Sequence, residues 1–207
     1  MALRKQQIIA EAIKLLDQEG IEGVTLRPLA DRLGVQAPAL YWHVKNKSDL
    51  LDEMAEAILL EQFAEISPRV ADQPWQDWLT AMARRLRATM LAHREGARVV
   101  AGAHLQPAVT LARLTEASLQ SLCSAGIEVR HAWTITNTVI QFTFGHVIEE
   151  QAAPSLEEVR RYGLATFRDT YPLLAEATAA IATTPQPGES GFNEGVRLIL
   201  IGGAHLR

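Results

Sequence analysis

Apolar residues recur along most of the chain at helical spacing, and no stretch alternates with period two for long enough to make a convincing strand. Ile8, Ile9, Ala12, Ile13, Leu15 and Leu16 predict a helix over roughly 5–18, closed by Gly20 with Gly23 just beyond. Thr25 stands where an N-cap belongs, and Pro28 falls in the first turn, where its missing N–H is harmless. Leu26, Leu29, Ala30 and Leu33 then give a two-turn helix ending at Gly34, with Val35 as a buried turn anchor. A third helix restarts at 36–40 and continues through Tyr41 and Trp42; Trp42 is expected in the core because it follows Leu40 and precedes Val44. After the polar break Lys45-Asn46-Lys47, Ser48 and Asp49 open a longer helix over 48–66.

Ser67-Pro68 and Asp72-Gln73-Pro74 interrupt the pattern. Trp75, Trp78, Leu79, Met82, Ala83, Leu86, Met90 and Leu91 then mark an amphipathic helix over about 75–92, with Arg84, Arg85 and Arg87 as its wet face. There follow a short segment over 95–103, a helix over 107–123 closed by Gly126, the most apolar helix over 128–151, and one capped by Ser155 that runs to about 169. A flexible loop over 183–191 and a final helix over 192–204 complete the chain. The expected fold class is all-α, with about ten helices. An N-terminal three-helix unit covers 1–47, a connecting helix 48–66, and a larger helical part 67–207. The helices at 128–151 and 192–204 carry apolar residues on more than one face, so each needs a cover besides its own core. A homodimer with a four-helix interface is the simplest such cover.

Composition narrows the function classes. The 207 residues are 48% hydrophobic and 21% charged, an ordinary globular balance. No apolar run approaches a membrane span and no signal peptide is visible, so the expected location is cytoplasmic. The one cysteine, Cys123, excludes an internal disulfide and a multi-cysteine metal knot, and is expected as a small buried hydrophobe on a helix. Enzymatic chemistry finds no support. There is no phosphate-binding glycine loop, and the only plausible metal group (His104, His131 and His146 with Glu149 or Glu150) lacks the spacing of a zinc motif. Neither a metal nor a cofactor is expected.

The net charge of −4 hides an asymmetry: residues 1–47 hold seven of the 20 Lys+Arg but only five of the 24 Asp+Glu, and all the lysines lie there. Such a chain can present a small basic face. A helix, a short helix, a glycine turn and another short helix have the spacing of a helix-turn-helix, whose partner is double-stranded DNA. The short side chains of Ala37, Pro38 and Ala39 let the backbone approach the bases. Tyr41, His43, Lys45 and Lys47 supply phosphate partners and one possible base contact, and Arg27 can reach a phosphate or a base edge. The charge of His43 depends on pH. The competing reading is a dimeric helical adaptor whose helix-turn-helix is idle, which would show no salt-dependent, sequence-selective DNA binding. Farther on, His104, Ser118, Asn137, Gln141, His146 and Glu149 are polar residues stranded in apolar helices. They are either satisfied within the core or interface, or they are the polar handles of a ligand pocket.

Gly20-Ile21-Glu22-Gly23, Thr25, Leu33-Gly34-Val35, Pro38, the run Leu40-Tyr41-Trp42-His43-Val44-Lys45-Asn46-Lys47 and Leu50-Leu51-Asp52 together resemble the tetracycline-repressor (TetR) family. The resemblance continues diffusely through Trp75-Gln76-Asp77, His93-Arg94, Gly96-Ala97 and Phe142-Thr143 to Glu149. It implies a homodimeric repressor that binds a palindromic operator through its helix-turn-helix domains. A small molecule in the C-terminal ligand-binding and dimerisation domain releases it. On this resemblance the DNA contacts fall on Arg27, Pro38, Ala39, Tyr41, His43 and Lys47. Ala37 and Ala39 stand where the tetracycline repressors carry a glutamine and a threonine, so the operator should differ.

The pocket departs further. Phe63, Met82, Leu86, Val100 and Ala103 stand at positions where those repressors hold the drug with a histidine, an asparagine, a phenylalanine, the metal-ligating histidine and a threonine, and Ser118 stands near a glutamine. Only the glutamate at Glu149 is kept. The expected effector is therefore a fairly apolar aromatic or polycyclic molecule rather than magnesium-tetracycline, with Asn137, Gln141 or His146 as hydrogen-bond handles.

Overall fold

The computed structural model describes residues 4–104, 109–152 and 168–206. Among these residues there are ten α-helices and no strand. They are α1 (Lys5–Glu19), α2 (Leu26–Leu33), α3 (Ala37–Leu40), α4 (Lys47–Phe63), α5 (Trp75–Leu91), α6 (Gly96–Ala101), α7 (Val109–Ser124), α8 (Val129–Gln151), α9 (Pro172–Ala182) and α10 (Pro187–Gly203). The all-α expectation holds. Of the helix expected from Ser155 to about 169, only 168–170 are among the described residues, and they are helical.

The first three helices fold around the apolar set that marked them: Ile8, Ala12, Leu15, Leu16, Leu29, Leu40 and Val44 are fully buried. Gly34 closes α2 in the left-handed conformation, φ 64° and ψ 31°, and its N–H returns to Asp31 O at 3.2 Å. That turn sets α3 across α2. Thr25 is the N-cap residue of α2, yet its hydroxyl makes no capping bond. α4 begins at Lys47, one position before the expected start, and its cap is Asn46. Its side-chain oxygen accepts from Asp49 N–H at 2.9 Å, while Asp49 accepts from Lys45 N–H at 2.8 Å.

α4 is apolar on two sides. Leu50, Met54, Ala55, Ile58, Leu59 and Phe63 are all fully buried. They pack against α1 behind and against α5, α6 and α7 in front, so one continuous core runs from Ile8 through α4 to Val147 on α8. Each fully buried Leu or Ile contributes about 1.5–3 kcal/mol, so this core ties the helix-turn-helix to the rest of the chain. A second core joins α5, α7, α8 and α10 through Trp78, Leu79, Leu122, Ile135, Val139, Phe192 and Val196. α4 ends at Phe63, before the expected 66, where Arg85 reaches Gln62 O and Arg113 donates to Ala64 O at 3.2 Å.

Several expectations are corrected. Trp42 is 91% exposed. Leu40 and Val44 both face the core four residues apart, and that spacing turns the residue midway between them to the opposite side. Val35 is only half-buried. Cys123 is exposed, one residue before the end of α7. Arg85 and Arg87 are not a wet face: Arg85 lies 4.7 Å over the Phe63 ring, and Arg87 pairs with Glu150. The final helix starts at Pro187, so the loop before it spans only 183–186. Proline in the first turn begins a helix that Phe192, Val196 and Leu200 anchor. α9 has no counterpart among the expected elements; its Ala-rich sequence favours helix, but none of its residues is buried, so no apolar stripe marks it.

A methyl group at Gly34 would meet no atom within 4 Å, so only its positive φ opposes a side chain. Gly34→Ala should therefore destabilise the protein by about 1–2 kcal/mol, read as a lower urea midpoint with an unchanged slope.

Candidate functional site

Five of the seven cations of the first 47 residues divide into two groups. Lys5 pairs with Glu53 at 2.6 Å, Lys14 with Glu11 at 3.1 Å, and Arg32 with Glu11 and Glu19 at 3.4 and 3.3 Å. The side chains of Arg27 and Lys45, both exposed, make no ion pair or hydrogen bond among the described residues. They lie before and after α3, whose Pro38 is exposed and Ala39 half-buried. Tyr41 is 55% exposed and His43 half-buried beside them. The result is a surface around α3 with small residues, two exposed aromatics and two uncommitted cations. Trp42, expected inside, belongs to this face. Its signal was present in the four-residue spacing of Leu40 and Val44.

Lys47 stands apart from this group. Its ammonium donates to Ile21 O at 2.8 Å, tying the first turn of α4 to the α1–α2 loop. The residue thus supports the face from behind.

The residues expected around a ligand separate into three sets. Val100, Ala103, Asn137 and Gln141 line one open cavity of about 510 Å³ between α6, α7 and α8, together with Trp133 and Phe144. Met82, Leu86 and Ser118 line a pinched cavity of about 10 Å³ beneath it, and Ile140 walls both. Four residues lie elsewhere. Phe63 is fully buried under Arg85. His104 is turned to Asp52, which accepts from its N–H at 2.9 Å and faces its Nδ1 at 3.1 Å. His146 faces Gly188 O at 2.9 Å. Glu149 is exposed on α8. Ser118 bonds Leu114 O within its own helix. The wall residues that the sequence reading missed, Trp133 and Phe144, fall in the four-residue rows 133-137-141 and 140-144 of α8. Val100, at the position that the resemblance gives to a metal-ligating histidine, offers no donor atom. Among the described residues no group of three or more His, Cys, Asp or Glu could hold a metal ion.

Groove and face are joined through the α5–α6 turn. Gln151, at the end of α8, donates to Met90 O and His93 O at 3.1 and 2.7 Å and accepts from Ala97 N–H at 3.1 Å. On the other side of the turn, Arg94 donates to Gln18 O at 2.9 Å, and Glu95 accepts Ile21 N–H at 2.7 Å. Glu95 holds a left-handed φ of 54°, a strain that its bonds offset. Burial pushes its carboxyl up, but the Ile21 N–H and the Arg98 and Arg94 guanidiniums outweigh that and hold it below the ordinary carboxylate value. Gly20, with φ 79°, lies so near that a Cβ there would meet the Glu95 carboxylate at 2.5 Å.

Residues 8–54 match the family described as bacterial regulatory proteins, tetR family, and residues 67–205 match the tetracyclin repressor-like C-terminal domain. The class A tetracycline repressor protein from transposon 1721 of Escherichia coli is 40% identical over 206 residues, 99% of this chain and 92% of its own length. A possible TetR family transcriptional regulator from Streptomyces coelicolor A3(2) superposes with a TM-score of 0.84 at 34% identity, covering 99% of this chain and 100% of its own. A TetR variant from Acinetobacter baumannii AYE, solved with minocycline, superposes with a TM-score of 0.75 at 30% identity, covering 99% of this chain and 98% of its own.

The different positions of the two lysines carry a prediction. Lys47→Met should lower stability by about 1 kcal/mol through loss of the bond to Ile21 O, whereas Lys45→Met should change it by less than about 0.5 kcal/mol, both read from thermal unfolding.

Proposed function

The chain belongs to the tetracycline-repressor (TetR) family of ligand-responsive, DNA-binding transcriptional repressors, and on that premise we propose that it binds a palindromic operator as a homodimer and is released by a fairly apolar aromatic or polycyclic molecule. As a member of a family of regulators it is not an enzyme. The observation that carries the DNA reading is the face around α3. Arg27 and Lys45 hold phosphates, Tyr41 and His43 add a phosphate or base contact, and the small Pro38 and Ala39 bring the backbone close to the bases. Lys47 positions this face through Ile21. We take 1–47 as the DNA-binding domain, 48–66 as the connecting segment and 67–207 as the ligand-binding and dimerisation domain.

The dimer reading is supported by α8 and α10, which pack on each other and leave Trp133, Leu198 and Ile201 about half exposed. Pairing these helices with their copies covers that face and sets two reading heads on one palindrome.

The effector reading rests on the lining of the groove. Val100, Ala103, Ile140, Trp133 and Phe144 give it apolar walls, and Asn137 and Gln141 give it amide handles. The relative from Acinetobacter baumannii was solved with minocycline. A metal-chelated, oxygen-rich drug needs donors that the side chains of Met82, Leu86, Val100 and Ala103 do not have. Ligand in the groove shifts α6 and α8, and the α5–α6 turn passes that shift to the head.

Selection from random duplexes by the purified protein should converge on an inverted repeat, and Lys45→Ala should weaken binding to it and reduce its salt slope by about two, one phosphate contact from each subunit. Failure to enrich any sequence at low salt would overturn the reading in favour of an idle helix-turn-helix. Magnesium-tetracycline should not release the selected duplex; binding of that drug at micromolar concentration would refute the effector assignment.

A further inference from the structure

One titratable group at the junction of head and body is used by neither the DNA face nor the groove. The His93 side chain is 11% exposed, and a carboxylate meets each of its ring nitrogens. Nδ1 lies 3.1 Å from Asp17 on α1, and Nε2 lies 3.2 Å from Glu61 on α4. A carboxylate only accepts, and both ring nitrogens donate only in the imidazolium. The geometry therefore favours the protonated ring. The charged groups near it are Asp17 from α1, Glu61 from α4, and Arg94 and Glu95 from the turn itself, while Arg98 of α6 pairs with Glu95. Arg94 N–H also donates to Asp17, at 3.0 Å, and Glu95 is bonded to Ile21 N–H and paired with Arg98. From α8 the neutral Gln151 reaches this turn, at the His93 carbonyl.

Resting on the operator reading, we propose that His93, as an imidazolium held between Asp17 and Glu61, is a positioning residue for DNA binding: it locks the helix-turn-helix head to the effector-binding body, and its deprotonation loosens that lock and weakens operator binding. A guanidinium is not deprotonated in proteins, and the Glu95 carboxyl is held below the ordinary carboxylate value, so His93 is the link among them that changes. When it loses its proton it donates to one carboxylate and turns a lone pair toward the other, leaving the two anions on either side of a neutral ring. A head free to move then loses more freedom on binding a duplex with fixed half-site spacing.

The direction of the titration agrees with the geometry. Burial disfavours the charge, but the bonds to Asp17 and Glu61 outweigh it and raise the ring above its ordinary 6.5. A raised histidine contributes fully below its ordinary value, and the contribution is lost as the pH rises through the raised one.

Two measurements on the full chain test this. Histidine-labelled NMR titration of the free protein should place His93 above its ordinary value, and Asp17→Asn should bring it down. Operator affinity, measured on the selected duplex between about pH 6 and about pH 9 at constant ionic strength, should fall by roughly three- to tenfold. His93→Gln should flatten that step. Asp17→Asn should move it to lower pH, because the Asn amide can donate to the neutral ring. Titration of His93 at or below its ordinary value would overturn the proposal. So would a step that persists in His93→Gln and disappears in His43→Gln, which would assign it to the DNA face. If no duplex is selected at all, the operator reading fails first, and the NMR titration still reports separately whether the clasp exists.

Discussion

A helix that is apolar on two opposite sides has nowhere to sit except between two cores, and α4 is such a helix. Leu50, Met54, Ile58 and Phe63 cannot be satisfied by α1 alone or by the later helices alone. Burial fixes α4 in the middle, so the three helices before it and the helices after it share one hydrophobic interior. The polar arrangement depends on that placement. Asp52 and Glu56, one turn apart, take bonds from His104 and Thr110, and Glu61 takes His93. The helix is a spine that presents apolar knobs to both cores and carboxylates to the segments that must be held at their edges.

This architecture explains the division of labour among the cations. Those near α1 and α4 are neutralised by carboxylates, which keeps an acidic chain compact at its N-terminal end. Arg27 and Lys45 project where no carboxylate of the described residues meets them. A weakly basic face is enough for a two-fold regulator, because two copies act on one duplex. The small residues of α3 serve the same end by steric means: they remove bulk where a groove must come close.

Most of the helices are legible because their apolar residues recur at three and four, and helix ends are legible wherever glycine or proline punctuates them. Each misreading has its own physical cause. Hydrophobicity alone places Trp42 inside, whereas its phase relative to Leu40 and Val44 places it outside. α9 has high helix propensity but buries none of its residues, so periodicity is silent about it. The start of α10 is hidden by Pro-Gly-Glu-Ser-Gly, a composition that reads as loop until Phe192 anchors the helix. In the candidate site, the stranded polar residues stand out as unusual in the sequence, but their partners do not. Asp52 lies 52 positions from His104, and Gly188 lies 42 positions from His146. Pairings at such separations are set by how helices cross, which one helix's pattern does not contain. The groove is legible only in part for the same reason: Trp133, Asn137 and Gln141 share a row, while Val100 joins them from another element.

The contacts between the α5–α6 turn and the α1–α2 region also bear on how such proteins can be recombined. Exchanging reading heads between relatives by cutting the chain near residue 47 treats the head as a contiguous cassette. Yet Asp17, Gln18 and Ile21 are matched to His93, Arg94 and Glu95, and Gly20 is small because Glu95 lies against it. The transferable unit is therefore discontinuous. A hybrid with a foreign head would keep its fold and its groove but join them through a mismatched seam, unless the three residues of the turn were grafted along with the head they hold.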